Sequence, residues 1–416
     1  MSHFGIFCPP VTGHVNPLAA LGRTLAGRGH RVTIFQVADF ESKVRSEELE
    51  FVSLGAEHFP PGSLAQSIEK LATLSGVKAL KYAVECERRM SHLILEFAPA
   101  AICAAGIHAL LVDQNEPAGA TVAEHLRLPF ASICSSLPLN REPLIPPPFV
   151  GWAWQDSQWA RLRNKIGYAV SDHFISPIQE ILNQYRRRWS LPRLRTPDDS
   201  FSRLAQLAQM PKEFDFPRDR LPGGFHYLGP WFDHFSSRIP FPFEKLNGKP
   251  LIYASLGTLQ SKDHRYFGLI AEACKGLDAQ LVLSLGDVSG IDVPTLPGDP
   301  LVVNYAPQSE LLPRAALTIT HSGMNTTQQS LYFGVPMVGI PLTHDQPAIA
   351  ARLARTGAGI VIPPRRLTRA RLRAAVESIL PPNSKPRQQA RILREAIRQA
   401  GGLERAADIV EQIIAR

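Results

Sequence analysis

The strongest constraint on this chain is a rhythm that occurs twice. Short apolar runs alternate with amphipathic stretches in each half, and a proline- and aromatic-rich interruption lies between. In the first half HFGIFCP (3–9), RVTIFQV (31–37), ALLVDQ (109–114) and FASICSS (130–136) read as strands, with helices over 17–29 and 117–128. The unbroken apolar run at 109–112 is that of a strand covered on both faces. Repeated strand–helix–strand units dictate a doubly wound parallel sheet, an α/β fold. The rhythm restarts with PLIYASLG (250–257), AQLVLSLG (279–286), PLVVNYAP (300–307), LTITHSG (317–323) and PMVGIPL (336–342), which predicts a second sheet of the same kind. Segment 138–155 reads as loop, 157–189 as helix and 229–250 as a proline-rich connection. The expected division is an N-terminal domain over 1–232, a linker over 233–249 and a C-terminal domain over 250–400. A closing amphipathic helix over 401–416 is expected to pack back on the first domain. A chain of 416 residues suits two cores.

Composition narrows the partners. The formal charge is +8, with much of the excess in Arg365, Arg366, Arg369, Arg371, Arg373, Arg387, Arg391, Arg394 and Arg398. These alternate with apolar residues at helical spacing, as on a solvated helix face, and attraction to a membrane surface is the second reading. No zinc-finger, RNP or helix-turn-helix pattern accompanies them, so nucleic acid is not an expected partner. The five cysteines are scattered and form no CxxC pair, which argues against a thiolate metal site or a disulfide framework and fits a reducing cytoplasm. No apolar run reaches the length of a membrane span, and the N-terminus lacks the pattern of a secretion signal.

The chemistry-bearing residues concentrate between 305 and 346. Tyr305 and Gln308 stand at a strand exit, where a ring can stack on a planar base and an amide can bond its edge, although a plain turn would look the same. His321, Gly323, Asn325 and Thr326 lie where the next strand passes into a helix. Glycine there permits close backbone approach, and the exposed N–H groups of a helix start form an anion site suited to a diphosphate. Gly334-Val335-Pro336 then turns into a strand that leads to Asp345 and Gln346, a carboxylate and an amide able to grip adjacent sugar hydroxyls. Ser255 and Thr258, after the first strand of this half, can reach a phosphate from the opposite side. In the other half His14 sits at the tip of a strand-to-helix turn. Asp113 emerges at the same sheet edge, either toward that histidine or as the N-cap of the helix that follows.

This pattern (aromatic-x-Pro-Gln, His-x-Gly-x-Asn-Thr, Gly-Val-Pro, Asp-Gln) resembles the donor signature of the UDP-glycosyltransferase superfamily. The resemblance implies the GT-B architecture, two facing Rossmann-like domains with a cleft between them. It also implies transfer of a hexose from a UDP-sugar such as UDP-glucose. On that reading Tyr305 stacks on uracil, Gln308 binds its edge, His321, Asn325 and Thr326 hold the diphosphate, and Asp345 and Gln346 hold the sugar. Gln329 replaces the glutamate that binds ribose in the family. His14 removes the acceptor proton and Asp113 orients it; an imidazole suits that task at neutral pH. LPLNREP (137–143), ASLGTLQ (254–260), DQPAIAAR (345–352) and the segment 400–412 are similar to bacterial carotenoid (zeaxanthin) glucosyltransferases. They imply a lipophilic hydroxylated acceptor, with Asn140, Trp152 and Trp154 beside it. The segment 138–155 then reads equally as an acceptor channel or membrane contact and as a packed loop.

No Asp-x-Asp pair occurs, so neither a metal nor a further cofactor is expected, and the proposed displacement inverts the anomeric carbon. A nicotinamide oxidoreductase is disfavoured because Pro9–His14 replaces the G-x-G-x-x-G turn. An epimerase or a non-catalytic sugar-nucleotide binder remains as the alternative on the same architecture.

Overall fold

A computed structural model describes residues 1–232, 239–257, 264–286 and 295–414. The first sheet holds seven parallel strands: β1 (His3–Phe7), β2 (Arg31–Gln36), β3 (Glu50–Ser53), β4 (Ala109–Asp113), β5 (Phe130–Cys134), β6 (Ala205–Ala208) and β7 (Phe225–Tyr227). Their order is β3-β2-β1-β4-β5-β6-β7. The second sheet holds β8 (Leu251–Ser255), β9 (Gln280–Ser284), β10 (Leu301–Val303), β11 (Ala315–Thr320), β12 (Met337–Gly339) and β13 (Gly359–Val361), in the order β10-β9-β8-β11-β12-β13. In each sheet the winding reverses once, between β1 and β4 and between β8 and β11. At such a point the loops leaving neighbouring strands diverge and open a crevice at the carboxyl edge.

Both faces of the first sheet are covered. Helix Thr12–Gly27 buries Val15, Leu18 and Leu21 on one face, joined by Ala406, Ile409, Val410 and Ile413 of helix Gly402–Ile414, so the last described helix lies on the first sheet. Arg28 holds it from the rim, donating to Asp408 at 2.8 Å and Glu411 at 3.1 Å. Helices Gly76–Ala105, Pro117–Leu126 and Gln158–Arg188 cover the other face.

The two halves meet on an apolar seam of Leu137, Met210 and Phe214 against Met324, Ile349 and Leu353. Within it Asp215 accepts from Arg352 Nε at 2.8 Å, from Arg218 Nε at 2.6 Å and from the Tyr227 hydroxyl at 2.8 Å. Burial alone would raise the Asp215 pKa. The two guanidiniums outweigh it and hold the carboxyl well below its usual range. Arg352 also lies over the Phe216 ring, 4.2 Å from its centroid.

Some boundaries differ from expectation. The first helix begins at Thr12, so His14 occupies its first turn and not a turn ahead of it. The strand expected over 300–307 spans only Leu301–Val303. Six residues of the expected linker, 233–238, lie outside the described residues.

Removing the Asp215 carboxylate strands two buried guanidiniums. Asp215→Ala should therefore cost roughly 3–5 kcal/mol in urea unfolding of the intact chain. An unchanged midpoint would mean that the seam, and not this triad, joins the halves. Because its pKa is depressed, the contribution of Asp215 is complete above the ordinary carboxylate range and is lost as pH falls through the lowered value.

Candidate active site

Each half brings its polar residues to the carboxyl edge of its sheet, at the reversal point. Asp113 ends β4 and is fully buried; His14 stands across the crevice with its side chain 19% exposed. Asp113 Oδ2 lies 2.8 Å from His14 Nδ1. Since a carboxylate only accepts, Nδ1 carries the proton and Nε2 is left as the basic nitrogen. Asp113 is fixed from three further directions. Its Oδ1 accepts from the Asn115 backbone at 2.8 Å and from the Asn115 amide at 3.1 Å, while the Ser135 hydroxyl donates to Oδ2. It does not cap the next helix, whose N-cap is Glu116.

Burial works against protonation of His14, but the charge and hydrogen bond of Asp113, with Asp345 and Glu87 adding, raise its pKa above 6.5. Burial likewise opposes the Asp113 anion, and the facing imidazole with the Ser135 and Asn115 donors overcomes it, so that pKa is lowered. Two neighbours are shifted the other way. Glu87 is pushed up to about 7 by burial, with the His14 charge opposing and Asp113 adding a smaller upward push. The fully buried Glu116 is pushed well above its ordinary value by burial, Glu87 and Asp113. Asp113 thus remains the anion on Nδ1 while the surrounding carboxyls lean neutral.

The second half contributes a helix start. Gly323 is the N-cap of helix Met324–Tyr332, and no side chain caps it, so the N–H groups of the first turn stay open at the positive end of the dipole. His321 fills the space between two glycines: a Cβ on Gly323 would lie 2.4 Å from its Nε2, and one on Gly257 would lie 2.7 Å from its ring. Burial lowers the His321 pKa to about 4, against a Ser255 carbonyl and Asp345, so the ring is neutral at pH 7. Ser255 closes β8, and its hydroxyl accepts from Gly257 N at 3.4 Å. Thr258 lies outside the described residues.

The halves are stitched at this point. Asn325 Nδ2 donates to the Gly13 carbonyl at 3.0 Å, and Asn325 Oδ1 accepts from Gln209 at 3.2 Å. Pro17 explains why that carbonyl is available, since it has no N–H to return to the residue four positions back. The Ser136 hydroxyl donates to Asp345 across the same gap. His14 is therefore one residue from a direct contact with the uncapped helix.

Several expected contacts take another form. Gln308 donates to Gln329 at 2.7 Å and accepts from the Thr326 hydroxyl at 3.1 Å, so these three are tied to one another, and Tyr305 is half-exposed. The Gln346 carbonyl oxygen accepts from Leu342 N and Thr343 N, which leaves its NH2 for a ligand. Asn140, expected at the acceptor, is instead a buried structural amide bonded to Gln114 and Gln206. It borders a polar cavity of about 340 Å³ with Arg141, Asp198 and Gly224, and Gly224 lies at the amino edge of the strands, away from the cleft. Trp152 packs against Gly167 under Arg163, and the adjoining Gly151 touches Pro347, so this loop does reach the cleft. Ser135, Ser136 and Gln209 were not legible as site residues; serines at a strand exit are too common to single out. Among the described residues no three His, Cys, Asp or Glu side chains gather as a metal-ion site.

Asp113→Asn removes the charge that raises His14. The imidazole pKa, followed by its nitrogen shifts in NMR, should fall by roughly one to two pH units. The parent dyad stabilises the fold fully below the ordinary imidazole value and loses this as pH rises through the raised one, so the stability gap between parent and variant should narrow over that interval. A pKa unmoved by the substitution would break the assignment of the pair.

Two family models match: the glycosyltransferase family 28 N-terminal domain over residues 12–129, and the erythromycin biosynthesis protein CIII-like C-terminal domain over 269–412. The chain is 36% identical to a zeaxanthin glucosyltransferase of Pantoea ananas, covering all of this chain and 96% of that protein. It is 34% identical to the zeaxanthin glucosyltransferase of Pseudescherichia vulneris, with coverage of 100% and 98%. Among solved structures the glycotransferase of kitacinnamycin superposes with a TM-score of 0.77 at 22% identity, covering 99% of both chains. The calicheamicin glycosyltransferase CalG4 superposes with 0.73 at 21%, covering 100% and 99%. Two parallel sheets meeting at their carboxyl edges are the GT-B fold, and with relatives matched end to end the chain is a glycosyltransferase that belongs to the UDP-glycosyltransferase superfamily, alongside the bacterial zeaxanthin glucosyltransferases.

Proposed function

We propose that this chain transfers glucose from UDP-glucose to a ring hydroxyl of a lipophilic acceptor, a hydroxycarotenoid such as zeaxanthin. The reaction is a single displacement with inversion. The observation that carries this reading is the contact between Gly13 and Asn325, which sets a carboxylate-oriented imidazole beside an open helix N-terminus.

His14 Nε2 takes the acceptor proton as the acceptor oxygen bonds to the anomeric carbon. The bond from that carbon to the diphosphate oxygen breaks in the same step, and UDP leaves with its electron pair. The first-turn N–H groups after Gly323 face the charge that develops there. Asp113 stabilises the imidazolium without accepting the proton itself. Asp345 and the Gln346 NH2 hold sugar hydroxyls, and the neutral His321 contributes one donor and no net charge. The helix dipole supplies the neutralisation that a metal would otherwise give, and the chain contains no Asp-x-Asp pair to bind one. The acceptor class is supported by the two zeaxanthin glucosyltransferases that match over the full length. A cytoplasmic location is part of the same proposal.

The nucleotide is the more open choice. Solved structures of the glycosyltransferases VinC and SsfS6 contain dTDP, and both share the fold. In this chain Gln308 and Gln329 pair with each other, so a ribose hydroxyl must share an amide where a carboxylate would offer a second oxygen.

The test is turnover of UDP-glucose with zeaxanthin in detergent micelles, followed by mass spectrometry and the anomeric configuration of the product. His14→Ala should lower kcat by about 10²–10⁴-fold while leaving UDP affinity nearly unchanged. Loss of UDP binding together with turnover would assign His14 to donor binding instead. Turnover should survive EDTA. A second variant, Gln329→Glu, should lower the KM for UDP-glucose roughly three- to tenfold relative to dTDP-glucose, if ribose is what position 329 meets.

A further inference from the structure

The first half of helix Gln158–Arg188 is turned inside out. Its protein-facing positions are Ala160, Asn164 and Ser171, small or polar and all buried. Its outward positions are Trp159, Leu162, Ile166 and Val170, which are 65%, 51%, 54% and 53% exposed. Spacings of three, four and four residues place those four side chains in one stripe. The second half of the helix has the ordinary polarity, with Ile181, Leu182 and Tyr185 buried. Single exposed apolar residues are common on any protein; an aligned row of large ones opposite a small polar inner face is not.

The same half exposes other large apolar side chains. Phe149 is exposed on the loop that precedes it, and Val77 and Leu80 are exposed at the start of helix Gly76–Ala105. Tyr185 bonds His92 and Glu96, so the two helices pack side by side. At 30 and 31 residues each runs about 45 Å, against about 20 Å for the strands they cover. Both run toward the amino edge of the sheet: Gly76–Ala105 leads into β4 there, and Arg186 meets Glu124 at the end of helix Pro117–Leu126. Their opening turns therefore overhang the carboxyl edge, where His14 lies. The loop that carries Trp152 packs on Gly167 of this helix and meets Pro347 of the second half at Gly151.

Charge selects the occupant. Residues 63–82 and 156–170 contain Lys70, Lys78, Lys81, Arg161, Arg163 and Lys165 against only Glu69 and Asp156. Asp156 is partly neutralised by Arg161 at 3.4 Å. Two copies of this surface meeting across a twofold axis would set their lysines against each other. A layer of anionic headgroups over hydrocarbon matches both the basic flank and the apolar stripe. Among the described residues no helix is long and apolar enough to cross a membrane, so the contact is one of surface docking.

We propose that the outer face of residues 159–170, with the adjoining start of helix Gly76–Ala105, docks this enzyme on an anionic lipid bilayer. Rim and cleft are then continuous, and a lipophilic acceptor passes from the bilayer along the tryptophan loop to His14 without crossing water. The inference rests on the lipophilic-acceptor reading given above.

The experiment is flotation of the full-length protein with phosphatidylcholine vesicles, with and without phosphatidylglycerol. The parent should float with the anionic vesicles, less so at high salt. A Trp159→Ser/Leu162→Ser/Ile166→Ser/Val170→Ser variant, altered only at exposed positions, should partition at least about tenfold more weakly. Its kcat on detergent-dispersed acceptor should match the parent, which shows that it folds. Equal flotation of the two proteins overturns the proposal, as does a parent that ignores both vesicle types. A parent that is dimeric by light scattering and a variant that is monomeric also overturn it, since the face would then join two copies. Absence of transfer to any hydroxyl acceptor in detergent would sink the functional reading instead, whatever the vesicles show.

Discussion

Of the hydrogen bonds that join the two halves at the cleft, the one from the Asn325 amide to the Gly13 carbonyl lies one residue from the imidazole. It exists because Pro17 leaves that carbonyl without its helical partner. A proline in the second turn of a helix ordinarily counts as a defect. Here the missing N–H makes room for a donor from the other half, one residue from the imidazole. The bond is local, while the force that brings the halves into register is not: the buried seam and the Asp215–Arg352 pair set the separation over which a single amide can reach. Precision at His14 is thus inherited from contacts far along the chain.

The electrostatics around His14 follow from the same crowding. Three carboxyls beside one imidazole, Asp113, Glu87 and Glu116, act on one another, and each makes ionisation of the next harder. Hydrogen bonds decide which one ionises. Asp113 has two donors from Asn115, one from Ser135 and the imidazole itself, whereas burial, Glu87 and the Asp113 charge push the Glu116 pKa well above its ordinary value. The anion is therefore pinned to Nδ1, and the basic nitrogen faces away from it. On the other side His321, wedged between glycines and kept neutral, adds no positive charge beside the helix start.

Much of this was legible in the residues. Long apolar runs such as ALLV mark strands covered on both faces, and strand exits bearing His, Asp, Ser or Gly mark the crevice. The short strands were harder to see: β6 (AQLA) and β7 (FHY) are too brief to show a period, and tertiary pairing alone makes them strands. Helix Gly76–Ala105 is rich in Lys, Glu and Arg and contains Pro99, so its apolar face is diluted until neighbours are known. Asn140 shows the opposite case. A polar residue inside a family-like motif suggests ligand contact, yet its amide satisfies two buried glutamines. The Asp215–Arg352 pair lies 137 residues apart in sequence, and nothing local in either segment announces it.

Several groups that would meet the donor are already engaged within the protein: Asp345 with Ser136, Asn325 with Gly13 and Gln209, Gln308 with Gln329 and Thr326. A buried polar group without a partner costs on the order of 1–3 kcal/mol, so these internal bonds keep the cleft stable while no nucleotide-sugar is present. Donor binding on the proposed reading is then an exchange of partners, and its net gain comes chiefly from the groups that have none to give up. Those include the open N–H groups after Gly323 and the NH2 of Gln346. On that reading the diphosphate would contribute most to affinity, while most sugar contacts would be bonds exchanged at nearly equal energy. Such a division leaves the choice of sugar sensitive to small changes at Ser136 and Gln346, residues that a comparison of nucleotide contacts alone would overlook.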